Sequence, residues 1–180
     1  IRNKAQGRLR EEVNKGLEGI RGSKLSPAEK KQKATEFRQK AQGIAQEIDS
    51  SIKIELTHSK NEYLFTCDSE QISRVFFNLV KNSIESIQEK SSKSPDFTKK
   101  IDIVIENKND YITLIITDNG IGFSDENLNN ILKPYYTTKK KGTGLGLSIV
   151  NKIINDHNSK INFTKQKEGA KVVIDFSKDG

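Results

Sequence analysis

Residues 142–147 read Gly-Thr-Gly-Leu-Gly-Leu, and the stretch Asp118-Asn-Gly-Ile-Gly122 begins 24 residues upstream of Gly142. Glycine lets the main chain approach a ligand because no side chain stands in the way. The apolar residues that follow Gly144 predict a helix starting near it, and a helix start favours phosphate through its free N–H groups and its dipole. Together the two glycine clusters predict a pocket for a nucleotide.

Length and composition narrow the class of protein. A chain of 180 residues can bury the core of one domain. No apolar run approaches the ~20 residues of a membrane span, and the charged start does not resemble a signal peptide. Cys67 is the one cysteine, which excludes an internal disulfide and fits a reducing compartment. With two histidines, a structural zinc site is not expected. A soluble, cytoplasmic protein is the expectation.

The net charge of +7 is concentrated at the start of the chain. Residues 1–40 hold 12 Lys/Arg and 5 Asp/Glu, whereas residues 41–180 hold 19 of each. The main body therefore has no charge excess for nucleic acid, and no nucleic-acid partner is expected. The basic segment could contact an acidic partner, but a solvated helix is the more common outcome for such a segment.

Apolar periodicity predicts the order of helices and strands. Strands are expected at 52–57, 63–66, 101–106, 111–117, 161–164 and 172–176, and helices over 28–48, 69–89, 126–132 and 144–157. Residues 1–27 are expected to form a helical extension, and residues 28–180 the main domain. Strands paired across hairpins, with helices between them, predict an α+β fold of two layers.

Two amide side chains stand four residues apart in the helix predicted over 69–89. Asn78 and Asn82 should lie one above the other beside an apolar stripe. Amide oxygens are hard ligands that suit Mg²⁺ shared with substrate phosphates. Two solvent-facing polar residues are the alternative, and the pair alone favours it.

Asp118 follows a strand of alternating apolar residues. Its carboxylate could accept a hydrogen bond from an exocyclic amine such as that of adenine, with Gly120 and Gly122 leaving room for the base; a simple turn is the alternative. The second cluster is neither a P-loop, which needs Lys after the last Gly, nor a dinucleotide fingerprint, which needs Gly or Ala where Leu147 stands.

Four segments, in order, resemble the motifs of the GHKL superfamily. The stretch Asn78-Leu-Val-Lys-Asn82-Ser-Ile-Glu-Ser is similar to its asparagine box, and Asp118–Gly122 to its first glycine box. Lys133-Pro-Tyr-Tyr-Thr-Thr-Lys139 is similar to the segment before the lid, and residues 142–147 to the second glycine box. Over about residues 34–176, the chain most resembles the catalytic, ATP-binding domain of bacterial sensor histidine kinases of the nitrogen-regulation type.

The resemblance implies a Bergerat fold, with a mixed, mostly antiparallel sheet on about three helices, and a site for ATP and Mg²⁺. Asp118 would bind the adenine amine, within a pocket formed with Gly120, Ile121 and Gly122. Asn82 and Asn78 would hold Mg²⁺. The lid and the helix start would contact the nucleotide through a further set of residues: Thr138, Lys139, Gly142, Thr143, Gly144, Leu145, Gly146 and Leu147.

Position 78 separates the branches of this superfamily. The related chaperone and mismatch-repair ATPases place Glu there to activate water, whereas Asn78 cannot act as a general base near neutral pH. Transfer of the γ-phosphoryl group to a protein histidine is therefore the expected activity. A stand-alone ATPase and a non-catalytic nucleotide-binding module are the alternatives.

Two features depart from the resemblance. Many sensor kinases carry a basic residue at the position of Glu85. Either the contact that this basic residue makes is missing here, or Glu85 serves the acceptor histidine as a catalytic group. No His followed by Glu or Asp occurs, since Ser59 follows His58 and Asn158 follows His157. We expect His58 at the surface and His157 in a structural role. The chain is expected to be a fragment without its acceptor helix, unless residues 1–24 are a remnant or substitute.

The implied partners are a histidine-bearing dimerisation domain and, downstream, a response regulator. A homodimer through the missing helices is compatible with this pattern. No membrane contact is expected for this segment, whereas the full-length protein could carry an anchor.

Overall fold

The computed structural model of the chain describes residues 49, 51–58, 67–94, 96–137, 139 and 142–178. The expected extension over 1–27, the helix over 28–48, the strand over 63–66 and the side chain of Thr138 lie outside these residues. In the described ranges, no helix is both long enough and apolar enough to cross a bilayer.

Five strands among the described residues form one mixed sheet. They are β1 (Lys53–His58), β2 (Lys100–Asn107), β3 (Tyr111–Asp118), β4 (Lys160–Lys165) and β5 (Ala170–Ser177). Their order across the sheet is β1-β2-β3-β5-β4, with β1 parallel to β2 and every other pair antiparallel. Each strand in the described part of the chain lies within two residues of its expected bounds, because period-two alternation carries most of that signal.

In the part of the chain that the structure describes, three helices accompany the sheet: α1 (Ser69–Lys93), α2 (Asp125–Asn130) and α3 (Gly146–Asp156). Asp68 caps α1, and its Oδ1 atom accepts hydrogen bonds from the amides of Glu70 at 2.9 Å and Gln71 at 3.0 Å. The helix ends before Pro95, since proline disfavours helical backbone in the residue before it. It therefore runs four residues beyond the expected end at 89.

The core lies between the helices and one face of the sheet. Alternate strand residues point into it, and α1 and α3 cover it with apolar residues at helical spacing. The buried helix residues are Ile72, Val75, Phe76, Leu79, Val80, Ile84, Ile87, Val150, Ile153 and Ile154. The buried strand residues are Ile54, Ile101, Ile103, Ile112, Leu114, Ile116, Val172, Ile174 and Phe176. The expected two-layer α+β architecture is confirmed.

His157 joins the ends of α1 and α3. Its Nδ1 atom lies 2.7 Å from the Ile153 carbonyl, and its Nε2 atom accepts from the Asp68 amide at 3.1 Å. Nδ1 therefore carries the proton that the carbonyl accepts. These bonds give His157 the structural role expected from the sequence, whereas His58 ends β1 as an exposed residue.

Candidate functional site

Asp118 lies at the end of β3, with only 5% of its surface exposed. Its Oδ1 atom accepts from the Gly120 amide at 3.0 Å and from the Ser86 hydroxyl at 3.5 Å. The Ser83 hydroxyl and the Ala170 amide also donate to the carboxylate. Burial raises the pKa of Asp118 above its ordinary value, and these hydrogen bonds oppose the rise. The site thus contains a buried carboxylate held in one orientation.

The residue after Asp118 fixes the loop. The Asn119 amide group donates to the Thr98 carbonyl at 2.6 Å, and its oxygen accepts from the Lys100 amide at 2.9 Å. The Lys90 ammonium donates to the Asn119 carbonyl at 2.8 Å and lies 4.4 Å from the centre of the Phe97 ring. Contacts to both α1 and the start of β2 therefore hold the Asp118 backbone in place.

The glycines around Asp118 are required by the packing of the chain itself. A Cβ atom at Gly120 would lie 2.6 Å from the Ser86 carbonyl carbon. Gly122 has a φ of 74°, and a Cβ there would lie 2.9 Å from the Gly169 carbonyl carbon. These contacts explain both glycines without a ligand, so their role in shaping a base pocket stays a prediction. Ile121 between them is 46% exposed.

Asn78, Asn82 and Ser86 form a row along α1, four residues apart. With a rise of 1.5 Å per residue, the row spans about 12 Å. A Cβ at Gly146 would lie 3.2 Å from the Asn78 amide oxygen. Asn78, at one end of the row, therefore lies beside the start of α3. The other end is Ser86, which contacts Asp118. The row therefore connects the two glycine clusters that the sequence singled out.

The two asparagines differ in their partners. The Asn78 amide nitrogen donates to the Arg74 carbonyl at 2.8 Å, so the side chain is fastened to its own helix. The Asn82 amide oxygen accepts from the Lys139 ammonium at 3.2 Å. Lys139 also pairs with Glu85 Oε2 at 2.6 Å, and Lys81 lies 3.8 Å from Glu85 Oε1. The Asn82 oxygen thus faces a position that already holds a cation.

The second glycine cluster leads into α3. Gly144 has a φ of 66°, and a Cβ there would lie 2.7 Å from the Tyr135 Cα atom. The helix therefore begins at Gly146, two residues after the expected start near Gly144, because Gly144 has left-handed backbone. The Tyr135 amide donates to the Gly144 carbonyl at 3.0 Å, which closes the intervening loop at its base.

The start of α3 lacks a side-chain cap. Its N-cap residue is Leu145, whose amide donates to the Thr143 hydroxyl at 3.4 Å, and its first turn contains no acidic residue. N–H groups of the first turn are left for an anion at such a start. Thr143 is exposed, whereas Leu147 packs against the core. Of the residues expected along the lid, the side chain of Thr138 is outside the described part.

Several contacts of Asp118 come from residues outside the predicted motifs. Ser83 and Ser86 lie three residues apart on α1. This helical spacing places both hydroxyls on one face of the helix, and it is the signal in the sequence that links them. Ala170 faces Asp118 only through the pairing of β3 with β5. Gly169 has a φ of 78°, and a Cβ there would lie 2.7 Å from the Asn119 Cα atom. Gly169 and Ala170 lie in the hairpin between β4 and β5, about 50 positions from Asp118. No local pattern in the sequence indicates that they contact it.

Where the structure describes the chain, no group of three His, Cys, Asp or Glu side chains could hold a metal ion. The Asn82 oxygen, by contrast, is a hard donor that already faces a cation. That donor suits Mg²⁺, which is commonly bound by few protein oxygens and completes its shell with water and phosphate.

Comparison with known proteins agrees with this geometry. Residues 67–180 match the family described as histidine kinase-, DNA gyrase B- and HSP90-like ATPases. The chain is 35% identical over 130 residues to an NtrY-like sensor histidine kinase of Rickettsia conorii, covering 72% of this chain and 21% of that protein. It is 32% identical over 130 residues to sporulation kinase A of Bacillus subtilis, covering 72% and 20%.

The chain thus spans about a fifth of the length of these curated relatives. Among solved structures, the nucleotide-free catalytic domain of histidine kinase ThkA is similar, with a TM-score of 0.61 and 28% identity. That likeness covers 76% of this chain and 90% of the ThkA chain. The matched residues contain both glycine clusters and the asparagine row, and the chain therefore belongs to the family of histidine kinase-, DNA gyrase B- and HSP90-like ATPases.

Proposed function

We propose that this chain binds Mg-ATP and transfers the γ-phosphoryl group to a histidine on a separate phosphoacceptor domain in two-component signalling. The observation that carries the proposal is the row of Asn78, Asn82 and Ser86 on α1. Its ends contact the start of α3 and Asp118, so the row offers a phosphate site at one end and a base site at the other, about 12 Å away. The relatives named above are sensor and sporulation kinases, which favours the same activity.

Asp118 would recognise the adenine. When ionised, its carboxylate accepts a hydrogen bond from the exocyclic amine, and the protein has already removed it from water. The bonds from Gly120 and Ser86 orient it before the ligand arrives. Ile121, which is 46% exposed, would offer an apolar surface to the base.

The other end of the row would receive the phosphates. Asn82, together with Asn78, would hold Mg²⁺, which when bound neutralises phosphate charge. The uncapped start of α3 and the Lys139 ammonium would add positive potential. Gly146 lets the helix start lie against Asn78, so the backbone N–H groups and the amide oxygens serve the same ligand.

Asn78 favours transfer to a protein over hydrolysis. Its amide is neutral and its nitrogen is bonded to the Arg74 carbonyl, so it cannot remove a proton from water. Phosphoryl transfer depends on positioning and on charge stabilisation, both of which the site can supply. The histidine-bearing dimerisation domain, the response regulator and a cytoplasmic location are parts of this proposal.

Calorimetry tests the adenine assignment. ATP with excess Mg²⁺ should bind the Asp118→Asn variant about 10- to 100-fold more weakly, because a hydrogen bond to a charged group is lost. Asp175→Asn is the matched control, since this β5 carboxylate accepts from the Thr113 hydroxyl at 2.6 Å and lies opposite Thr113, five residues along the strand from Asp118. Equal affinity of wild type and Asp118→Asn would refute the assignment.

A second measurement separates kinase from ATPase. Labelled ATP is incubated with the chain, with and without a supplied helical hairpin that carries an acceptor histidine. The proposal expects acid-labile label on the hairpin and little free phosphate without it. Steady phosphate release in the absence of an acceptor would favour a stand-alone ATPase, and bound ATP with no transfer would favour a non-catalytic module.

A further inference from the structure

The Lys139 ammonium occupies a cation position formed by two oxygens of α1. It lies 3.2 Å from the Asn82 amide oxygen and 2.6 Å from Glu85 Oε2. The two residues that supply these oxygens are three positions apart, so they lie on adjacent turns of the same helix face. An amide oxygen and a carboxylate oxygen are also common ligands of divalent cations.

We infer that Asn82 and Glu85 form a cation-exchange site, in which Lys139 holds the place of a divalent metal ion until the metal displaces it. Before the metal enters, the Glu85 carboxylate keeps the ammonium at the Asn82 oxygen, and after the exchange it is a ligand of the metal. The α1 helix thus supplies the carboxylate, and the positive charge opposite it comes from the loop that contains Lys139. This inference deepens the proposed function, since Asn82 is the metal ligand there.

The loop that carries Lys139 is suited to such an exchange. Its base is closed by the bond from the Tyr135 amide to the Gly144 carbonyl. Within it, the Lys139 amide donates to the Thr137 hydroxyl at 3.1 Å, and the Gly142 amide donates to the Lys139 carbonyl at 3.1 Å. The side chain reaches α1 from a turn that is held by its own bonds, so the ammonium can leave without unfolding that turn.

Charge balance supports competition between the lysine and the metal. Lys81 lies 3.8 Å from the other Glu85 oxygen, so two ammonium groups already face one carboxylate. A divalent ion entering beside both would meet like charge from each. Departure of Lys139 removes the nearer of these charges, and metal binding and release of the ammonium are therefore linked by the same free energy.

The test uses the nucleotide-free chain and Mn²⁺ alone, with bound ion measured by electron paramagnetic resonance. Removal of the competing charge in Lys139→Met should tighten Mn²⁺ binding by about fivefold or more. Lys139→Arg keeps the charge and should bind as weakly as wild type. The double variant Lys139→Met/Glu85→Gln should lose the gain, because it lacks the carboxylate.

Lys152→Met is the matched control, because Lys152 also pairs with a carboxylate, Asp156, at 3.0 Å on an exposed helix face. The inference fails if Lys139→Met binds Mn²⁺ no better than wild type, if Lys152→Met shows the same gain, or if the gain survives Glu85→Gln. The Mn²⁺ measurement contains no nucleotide, so it is independent of the ATP calorimetry. Failure of ATP binding would overturn the proposed function and leave the Mn²⁺ result standing. Failure of the Mn²⁺ test would overturn the exchange and leave ATP binding standing.

Discussion

The backbone of Gly120 lies directly against the backbone of Ser86, with no room for a side chain between them. A Cβ at position 120 would lie 2.6 Å from the Ser86 carbonyl carbon and 2.7 Å from the Ile87 nitrogen. Neither atom can move unless α1 moves. This contact sets the distance between the helix that carries the asparagines and the loop that carries Asp118.

Gly120→Ala should therefore lower the free energy of unfolding by about 1–3 kcal/mol or more, as overpacking does. Gly146→Ala is the control, since a Cβ there would meet only the end of the Asn78 side chain, at 3.2 Å from its amide oxygen. The control should change stability by no more than about 0.5 kcal/mol. Urea unfolding measures both, and equal losses would contradict the packing described here.

Local patterns predicted much of this fold. Alternation located the described strands, and the expected start of α1 at residue 69 is confirmed, with Asp68 as its cap. The start of α3 was placed too early, because the positive φ of Gly144 depends on its contact with Tyr135 and not on helical periodicity. The end of α1 was placed four residues too early, because the helix continues to Lys93, two residues before Pro95.

Long-range pairing explains what the sequence could not supply. Asp118 pairs with Ala170 across β3 and β5, and Gly169 packs against Asn119, although these residues are about 50 positions apart. The ion pair of Lys139 with Glu85 likewise joins a loop to a helix across 54 residues. Such contacts follow from sheet register and loop closure, which local propensity does not encode.

Asp118 should make stability depend on pH in a direction opposite to that of a salt-bridged carboxylate. Its pKa is raised by burial, so between the unfolded value of 3.8 and the folded value the native state holds a proton that the unfolded state has lost. Its contribution to stability is complete below 3.8 and declines as pH rises through the folded pKa. The difference in unfolding free energy between Asp118→Asn and wild type should therefore grow with pH in favour of the variant.

Urea unfolding of both proteins at a series of pH values tests this, because the other titrating groups cancel in the difference. A difference that is constant with pH would show that Asp118 titrates alike in both states. A difference that shrinks as pH rises would mean that hydrogen bonding outweighs burial at this carboxylate.

His157→Ala should loosen the junction of α1 and α3. The variant loses the bond to the Ile153 carbonyl and leaves the Asp68 amide without the ring nitrogen. We expect a loss of about 1–3 kcal/mol in unfolding free energy. Lys152→Ala is the control on the same helix, because its exposed pair with Asp156 should contribute about 0–1 kcal/mol. Similar losses in the two variants would show that the hydrogen bonds of the His157 ring do not stabilise the junction of α1 and α3.

Ser86→Ala should raise the pKa of Asp118 further. The Ser86 hydroxyl donates to the carboxylate at 3.5 Å and accepts from the Ile121 amide at 3.1 Å, and its bond to Asp118 opposes the effect of burial. Without it, the charged form loses one donor, while burial by the strand and helix remains.

Carbon-detected NMR of the Asp118 carboxyl group across the acidic range measures this pKa directly, without nucleotide. Ser92→Ala is the matched control on α1, because its hydroxyl donates to the Glu89 carbonyl at 2.7 Å in the last turn of the helix. The titration of Asp118 should move to higher pH in Ser86→Ala and stay unchanged in Ser92→Ala. A shift to lower pH in Ser86→Ala would mean that water enters beside the carboxylate and replaces the hydroxyl as a better donor.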